Sequence, residues 1–211
     1  MTTSSEPAES EPTGTEPPGT EPPGTDPPGT EPDVLDLPPS GSALESGTYT
    51  RRGFLPSITF AVDDGWHAGT VGDEFFDIQL RPGTPDVVAV QFGIVHAAIG
   101  ADGRVIDAES AASVVAAIGA NPGLVVLGES ESRLGGQRGL NVEVENRSGG
   151  HSAILDVAPG RLGIDDGRSL WVSVFDTSAG VLAVMVGGPS DGWDGALLAA
   201  EPILESVVVD D

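Results

Sequence analysis

The chain has 211 residues and sets 33 Asp and Glu against 9 bases, a formal net charge of −24. All nine bases are Arg; Lys and Cys are absent, which removes Schiff-base chemistry, the usual Walker A loop, thiol nucleophiles, thiolate metal sites and disulfides. So acidic a surface repels phosphate backbones and anionic lipid, so nucleic acid is not an expected partner, and no run approaches the ~18 apolar residues of a membrane span.

The charge is uneven in kind. Before Ser40 stand nine acids and no base, leaving 24 acids against 9 Arg, or −15, in the remainder. Within that first part a five-residue unit recurs: Thr15-Glu16-Pro17-Pro18-Gly19, Thr20-Glu21-Pro22-Pro23-Gly24, Thr25-Asp26-Pro27-Pro28-Gly29. A period of five is not collagen's period of three. Pro-Pro favours polyproline II, each Gly interrupts it and the acids repel one another, which predicts a disordered linker over residues 1–43. The acids and glycines also break up the sustained PxxP ridge that a proline-recognising domain would read. Thr/Pro/Glu-rich stretches of this type resemble the segment after the lipidated cysteine of bacterial envelope lipoproteins. No such cysteine stands here, so an envelope or secreted location requires a signal segment upstream of Met1, and a true start at Met1 implies the cytoplasm.

From residue 44 to 211 the pattern predicts one α+β domain. A first strand is expected over Phe54–Val62, followed by the turn Asp63-Asp64-Gly65-Trp66. Strands Phe75–Leu80 and Val87–Val95 come next, the second continuous enough to sit centrally, covered on both faces. Ala111, Val114, Val115 and Ile118 at i, i+3, i+4, i+7 mark a helix, capped by Asp107 or Ser110 and closed by Gly119 and Asn121-Pro122-Gly123. Short strands are predicted at Leu124–Leu127, Leu140–Glu145 and Ser152–Ala158. Leu170–Phe175 and Val181–Val186 should form a hairpin across the longer loop Asp176–Gly180. Ser190 or Asp191 can cap a second helix carrying Trp193, Ala196, Leu197 and Ala200, which Pro202 should end or kink before a last strand at Val207–Val209. About eight strands linked mainly by hairpins, with two helices, indicate a mainly antiparallel sheet.

Chemistry is sparse. Any histidine mechanism must use His67, His96 or His151, whose spacing matches no zinc signature. Asp63 and Asp64 beside His67, and Asp165-Asp166 before Gly167, are acids that turns select without any metal, and the D-x-D-x-D-G calcium ladder is missing. No G-x-S-x-G elbow supports a hydrolase, and Gly135-Gly136-x-x-Gly139 precedes a strand where a phosphate loop needs a helix. Neither a cofactor nor a metal is expected. Binding falls to the aromatic anchors Trp66, Trp171 and Trp193 and to Arg51-Arg52, which can pair internally or meet an anionic partner.

The strand ending in Gly65-Trp66, the mid-chain helix, the meander and the closing Gly192-Trp193-Asp194-Gly195 … Ile203-Leu204-Glu205-Ser206-Val207 unit resemble the PsbP-like fold. That group includes photosystem extrinsic subunits and actinobacterial envelope lipoproteins of the LpqN type. The pattern Gly47-Thr48-Tyr49 … Phe54-x-Pro56-x-Ile58-Thr59-Phe60 … Asp64-Gly65-Trp66 … Asn121-Pro122-Gly123-Leu124 … Gly135-Gly136 is similar to domains of high-GC Gram-positive bacteria. The resemblance implies an α/β/α sandwich of seven or eight strands and two helices. It further implies a non-catalytic docking or ligand-holding module with a protein or small-molecule partner, and it transfers no catalytic residue. The alternative is a hydrolase built on one of the three histidines, and acidity without Lys also fits adaptation to high salt.

Overall fold

Runs of β-branched and aromatic residues alternating with small or polar ones dominate the computed structural model, which describes residues 33–210 apart from Pro159. Seven strands precede the first helix: β1 (Val34–Asp36), β2 (Gly47–Thr50), β3 (Ser57–Val62), β4 (Trp66–Val71), β5 (Phe75–Leu80), β6 (Val88–Ile99) and β7 (Val105–Asp107). Helix α1 (Ala111–Gly119) leads into β8 (Leu124–Leu134), β9 (Gln137–Asn146), β10 (Ser152–Val157), β11 (Gly160–Ile164), β12 (Arg168–Thr177) and β13 (Gly180–Pro189). Helix α2 (Trp193–Ser206) and β14 (Val208–Asp210) close the chain.

The protein is therefore α+β, mainly antiparallel, with two α-helices among the described residues. Among the described residues fourteen strands replace the roughly eight expected. β1, β2, β4, β7 and β11 come from short or polar stretches that find partners only in the assembled sheet. Four strands form one sheet in the order β1-β2-β3-β14. Ten form the other along β11-β10-β6-β13-β12-β9-β8, with β5, β4 and β7 joined through β6. Only β1 and β2 pair in parallel among these strands.

Period-two alternation divides the larger sheet between two cores. Val181, Ala183 and Met185 of β13 join Ala111, Val114, Val115 and Ile118 of α1 on one face. Leu182, Val184 and Val186 join Trp193, Ala196, Ala200 and Ile203 of α2 on the other, together with Ile58 and Phe60 of the smaller sheet. In this second core Phe76 stacks on Phe92 at 4.7 Å between ring centroids, and Phe60 on Phe92 at 5.4 Å. Each helix thus covers its own face of one sheet.

Several local expectations are corrected. The linker over 1–43 lies outside the described residues up to residue 32; beyond it, residues 34–43 are structured. β1 pairs with β2, Leu37 is buried, and Ala43 bridges to His67. Val34-Leu35-Asp36-Leu37 has the apolar content that the preceding repeat lacks, and so can join a sheet. The β12–β13 connection is a two-residue turn, because Thr177 and Gly180 already pair. β8 runs to Leu134, far past Leu127, and turns into β9 through Gly135 and Gly136, whose φ values of +55° and +83° suit a tight hairpin.

The two helices are begun differently. Ser110 accepts from the Ser113 N–H at 3.2 Å while the Ser113 hydroxyl accepts from the Ser110 N–H at 3.1 Å, a reciprocal box at the start of α1. The Asp176 carboxylate takes the next free donor, the Ala111 N–H, at 2.7 Å. α2 starts instead at Gly192, with no side-chain cap, and continues through Pro202 to Ser206. The carbonyl that Pro202 leaves without its helical donor is that of Leu198, a residue on the exposed side of the helix, where the lost bond is tolerated.

Candidate functional site

The aromatic anchors separate. Trp66 and Trp193 are 5% and 9% exposed, so neither is the exposed contact residue expected of it. Gly65 at φ +101° swings Trp66 inward at the start of β4, and the Trp193 Nε1 donates to Glu143 of β9 at 2.5 Å. Trp171, on β12, stays half-buried at the edge of the α2 core. Arg51 and Arg52 pair internally. Arg51 donates to Asp73 at 2.9 Å and to the Gly72 carbonyl at 3.1 Å, while Asp36 accepts from the Arg52 N–H at 3.0 Å and lies 3.9 Å from its guanidinium.

The three histidines lie apart. His67 pairs with Gln79 in the β4–β5 ladder and its Nδ1 is buried with no partner among the described residues. His96 meets Glu74 at 3.0 Å and His151 meets Asp165 at 2.9 Å, both as exposed pairs. Neither exposed imidazole meets a hydroxyl among the described residues, so no nucleophile–base pair is assembled there. Asp64 accepts from the Ser46 N–H at 2.9 Å and Asp166 from the Gly149 N–H at 2.9 Å, which makes both of them turn-fixing residues. Among the described residues no group of three or more His, Asp or Glu is placed to hold a metal.

Asp77 is the carboxylate the sequence did not single out. It is 2% exposed on β5, accepts from the Thr70 N–H at 2.5 Å and from the Gln79 amide at 2.6 Å, and occupies the space that a Cβ at Gly69 would need. Burial pushes its carboxyl above the usual range, while the donated hydrogen bonds from Gln79 and Thr70 oppose that shift. Its donors are all from its own hairpin, which marks it as a structural group of the β4–β5 ribbon.

The unassigned surface lies along α2. Trp193, Ala196, Ala200 and Ile203 give this helix its core stripe. A second stripe, Asp194, Leu197, Leu198, Glu201, Leu204 and Glu205, recurs at helical spacing and faces outward. With Trp171 it lines an open groove of about 440 Å³. Leu198 is 69% exposed, the most exposed large apolar side chain among the described residues. Sequence reading placed Leu197 with the core positions, against which it is partly buried, and passed over the exposed Leu198, although its spacing was visible.

These features define an α+β domain in which one antiparallel sheet carries a helix on each face and one helix keeps an open apolar groove. No protein-family model matches the chain, and no curated protein is similar to it in sequence. Among solved structures it is similar to the solution structure of cyanobacterial PsbP (CyanoP) from Synechocystis sp. PCC 6803, at 15% identity and a TM-score of 0.46, over 81% of this chain and 96% of that one. It is also similar to LpqN of Mycobacterium tuberculosis, described as involved in cell envelope biogenesis, at 14% identity and a TM-score of 0.42, over 86% and 90% of the two chains. No helix among the described residues is long and apolar enough to cross a membrane.

Proposed function

We propose that this protein is a non-catalytic docking module of the bacterial cell envelope, a single α+β domain on an acidic Pro-rich spacer, with the α2 groove as its contact surface. One observation carries the reading: α2 leaves Leu198 69% exposed in a groove completed by the uncovered parts of Leu197, Leu204 and Trp171, which are otherwise packed on the core. An apolar patch set into a charged surface is what a protein contact needs, since its burial yields ~25 cal/mol per Å². Arg51 is held by Asp73, while the Arg52 side chain, 3.9 Å from Asp36, stays largely exposed. The envelope location is supported by the likeness of the Thr/Glu/Pro/Gly repeat to lipoprotein spacers. The hydrolase alternative draws no support from the three separated histidines.

The test is a photo-crosslinking residue placed in cells at Leu198 or, as an equally exposed control, at Leu55, which is 65% exposed. A discrete protein adduct from position 198 and none from position 55 is expected. No adduct at 198, or equal labelling at both, overturns the docking surface.

A further inference from the structure

The α2 groove has a charge pattern as well as an apolar floor. Asp194, Glu201 and Glu205 stand between and beside Leu197, Leu198 and Leu204, all three acids are exposed, and no basic residue lines the groove. None of the three acids has an ion-pair partner among the described residues. Glu143, held by the Trp193 indole, adds a fourth carboxylate from β9 on the same face of the sheet. Some acids elsewhere are matched, as Asp73 is by Arg51 and Glu145 by Arg147.

Resting on the docking reading, we infer that the groove takes a basic amphipathic peptide segment of a partner protein, whose apolar face packs on Trp171, Leu197, Leu198 and Leu204 while its Lys or Arg side chains meet Asp194, Glu201 and Glu205. Charge complementarity selects this occupant. A second copy of this chain, at −24, brings acid to acid, as does its own Thr/Glu/Pro/Gly repeat. α2 is 14 residues long, about 21 Å at ~1.5 Å per residue, so a helical partner segment of similar length spans it.

The probe is a labelled 16-residue peptide with Leu at i, i+3, i+4 and i+7 and Lys on the flanking positions, read by fluorescence anisotropy against the full chain. Its Lys→Glu counterpart and a scrambled version of the same composition serve as controls. The Lys probe is expected to bind about tenfold more tightly at low than at physiological salt, and both controls at least about tenfold more weakly. Leu198→Ser and the double variant Glu201→Gln/Glu205→Gln should each weaken it about fivefold or more, while Asp165→Asn/Asp166→Asn, neutralising two distant acids, should leave it within about twofold. All five substituted positions are exposed, and unchanged melting curves confirm that the fold is retained in the three variants. Equal binding of the Glu or scrambled probe, an equal loss in the distant double variant, or no binding of the Lys probe overturns the inference. So does a dimer in sedimentation that Leu198→Ser dissolves, which would make a second copy the occupant. A protein adduct at position 198 with no Lys-probe binding would leave the docking surface standing and its basic occupant wrong; no adduct removes the surface itself.

Discussion

The two helices occupy opposite faces of the same sheet and treat their outer surfaces differently. α1 buries Ala111, Val114, Val115, Ala117 and Ile118, and turns only the small residues Ala112, Ser113, Ala116 and Gly119 outward. α2 buries Trp193, Ala196, Ala200 and Ile203, and leaves Leu197, Leu198 and Leu204 at its groove. Folding asks each helix for one apolar stripe against the sheet. α1 stops there, and α2 carries a second stripe that the folded chain covers only in part, with Leu197 and Leu204 half-buried and Leu198 exposed. The beginnings of the helices follow the same division. α1 is locked by a reciprocal Ser110–Ser113 box and by Asp176, and α2 begins uncapped at Gly192.

The largest expected effect falls on the closed face. Ile118→Ala, at a position with no exposure, should cost about 2–5 kcal/mol in chemical denaturation, because its methyl groups fill space between α1 and the sheet. A loss below about 1 kcal/mol would mean that α1 is not the tightly packed cover described.

A smaller effect tests where that face of the sheet turns polar. On β5, Phe75 joins the α1-side core, and Asp77 and Gln79 continue the same side as polar residues. Burial holds the Asp77 carboxyl above its ordinary range, so the folded chain binds this proton more firmly than the unfolded one. Its contribution to stability is then fully present below the ordinary carboxylate pKa and is lost as pH rises through the raised value. Asp77→Asn, which can still accept from the Thr70 N–H, should lose less stability than the native chain as pH rises from the ordinary carboxylate pKa through the raised one. Melting temperatures across that range check it, and parallel curves for the two proteins would refute it.

The smallest effect belongs to the open stripe. Leu198→Ser should shift stability by no more than about 0.5 kcal/mol, since its side chain is 69% exposed. A cost comparable to that of Ile118→Ala would make the α2 groove part of the core and erase the difference between the helices.

Much of this was legible along the chain. The strands Phe75–Leu80 and Ser152–Val157, the central long strand and α1 with its Ser110 cap were marked by local period and by capping chemistry that act within a few residues. The hairpin of β12 and β13 was visible as two β-prone runs, although its turn is shorter than expected. β4 and β11 were not legible, because Trp66-His67-Ala68-Gly69-Thr70-Val71 and Gly160-Arg161-Leu162-Gly163-Ile164 lack a clear alternation and are strands only beside β5 and β10. The helix through Pro202 was hidden for a related reason: its tolerance depends on which side of α2 faces water.

Composition alone determined the acidity, the absence of lysine and thiol chemistry and the mixture of hairpins with two helices, because these follow from residue types and short-range periodicity. Only the assembled structure decided that Trp66 and Trp193 are interior while Leu198 is not, and that Val34–Asp36 join a sheet. Burial is set by what stands across the interface, as Glu143 stands beside Trp193 from 50 positions away, and no window along the chain contains both partners.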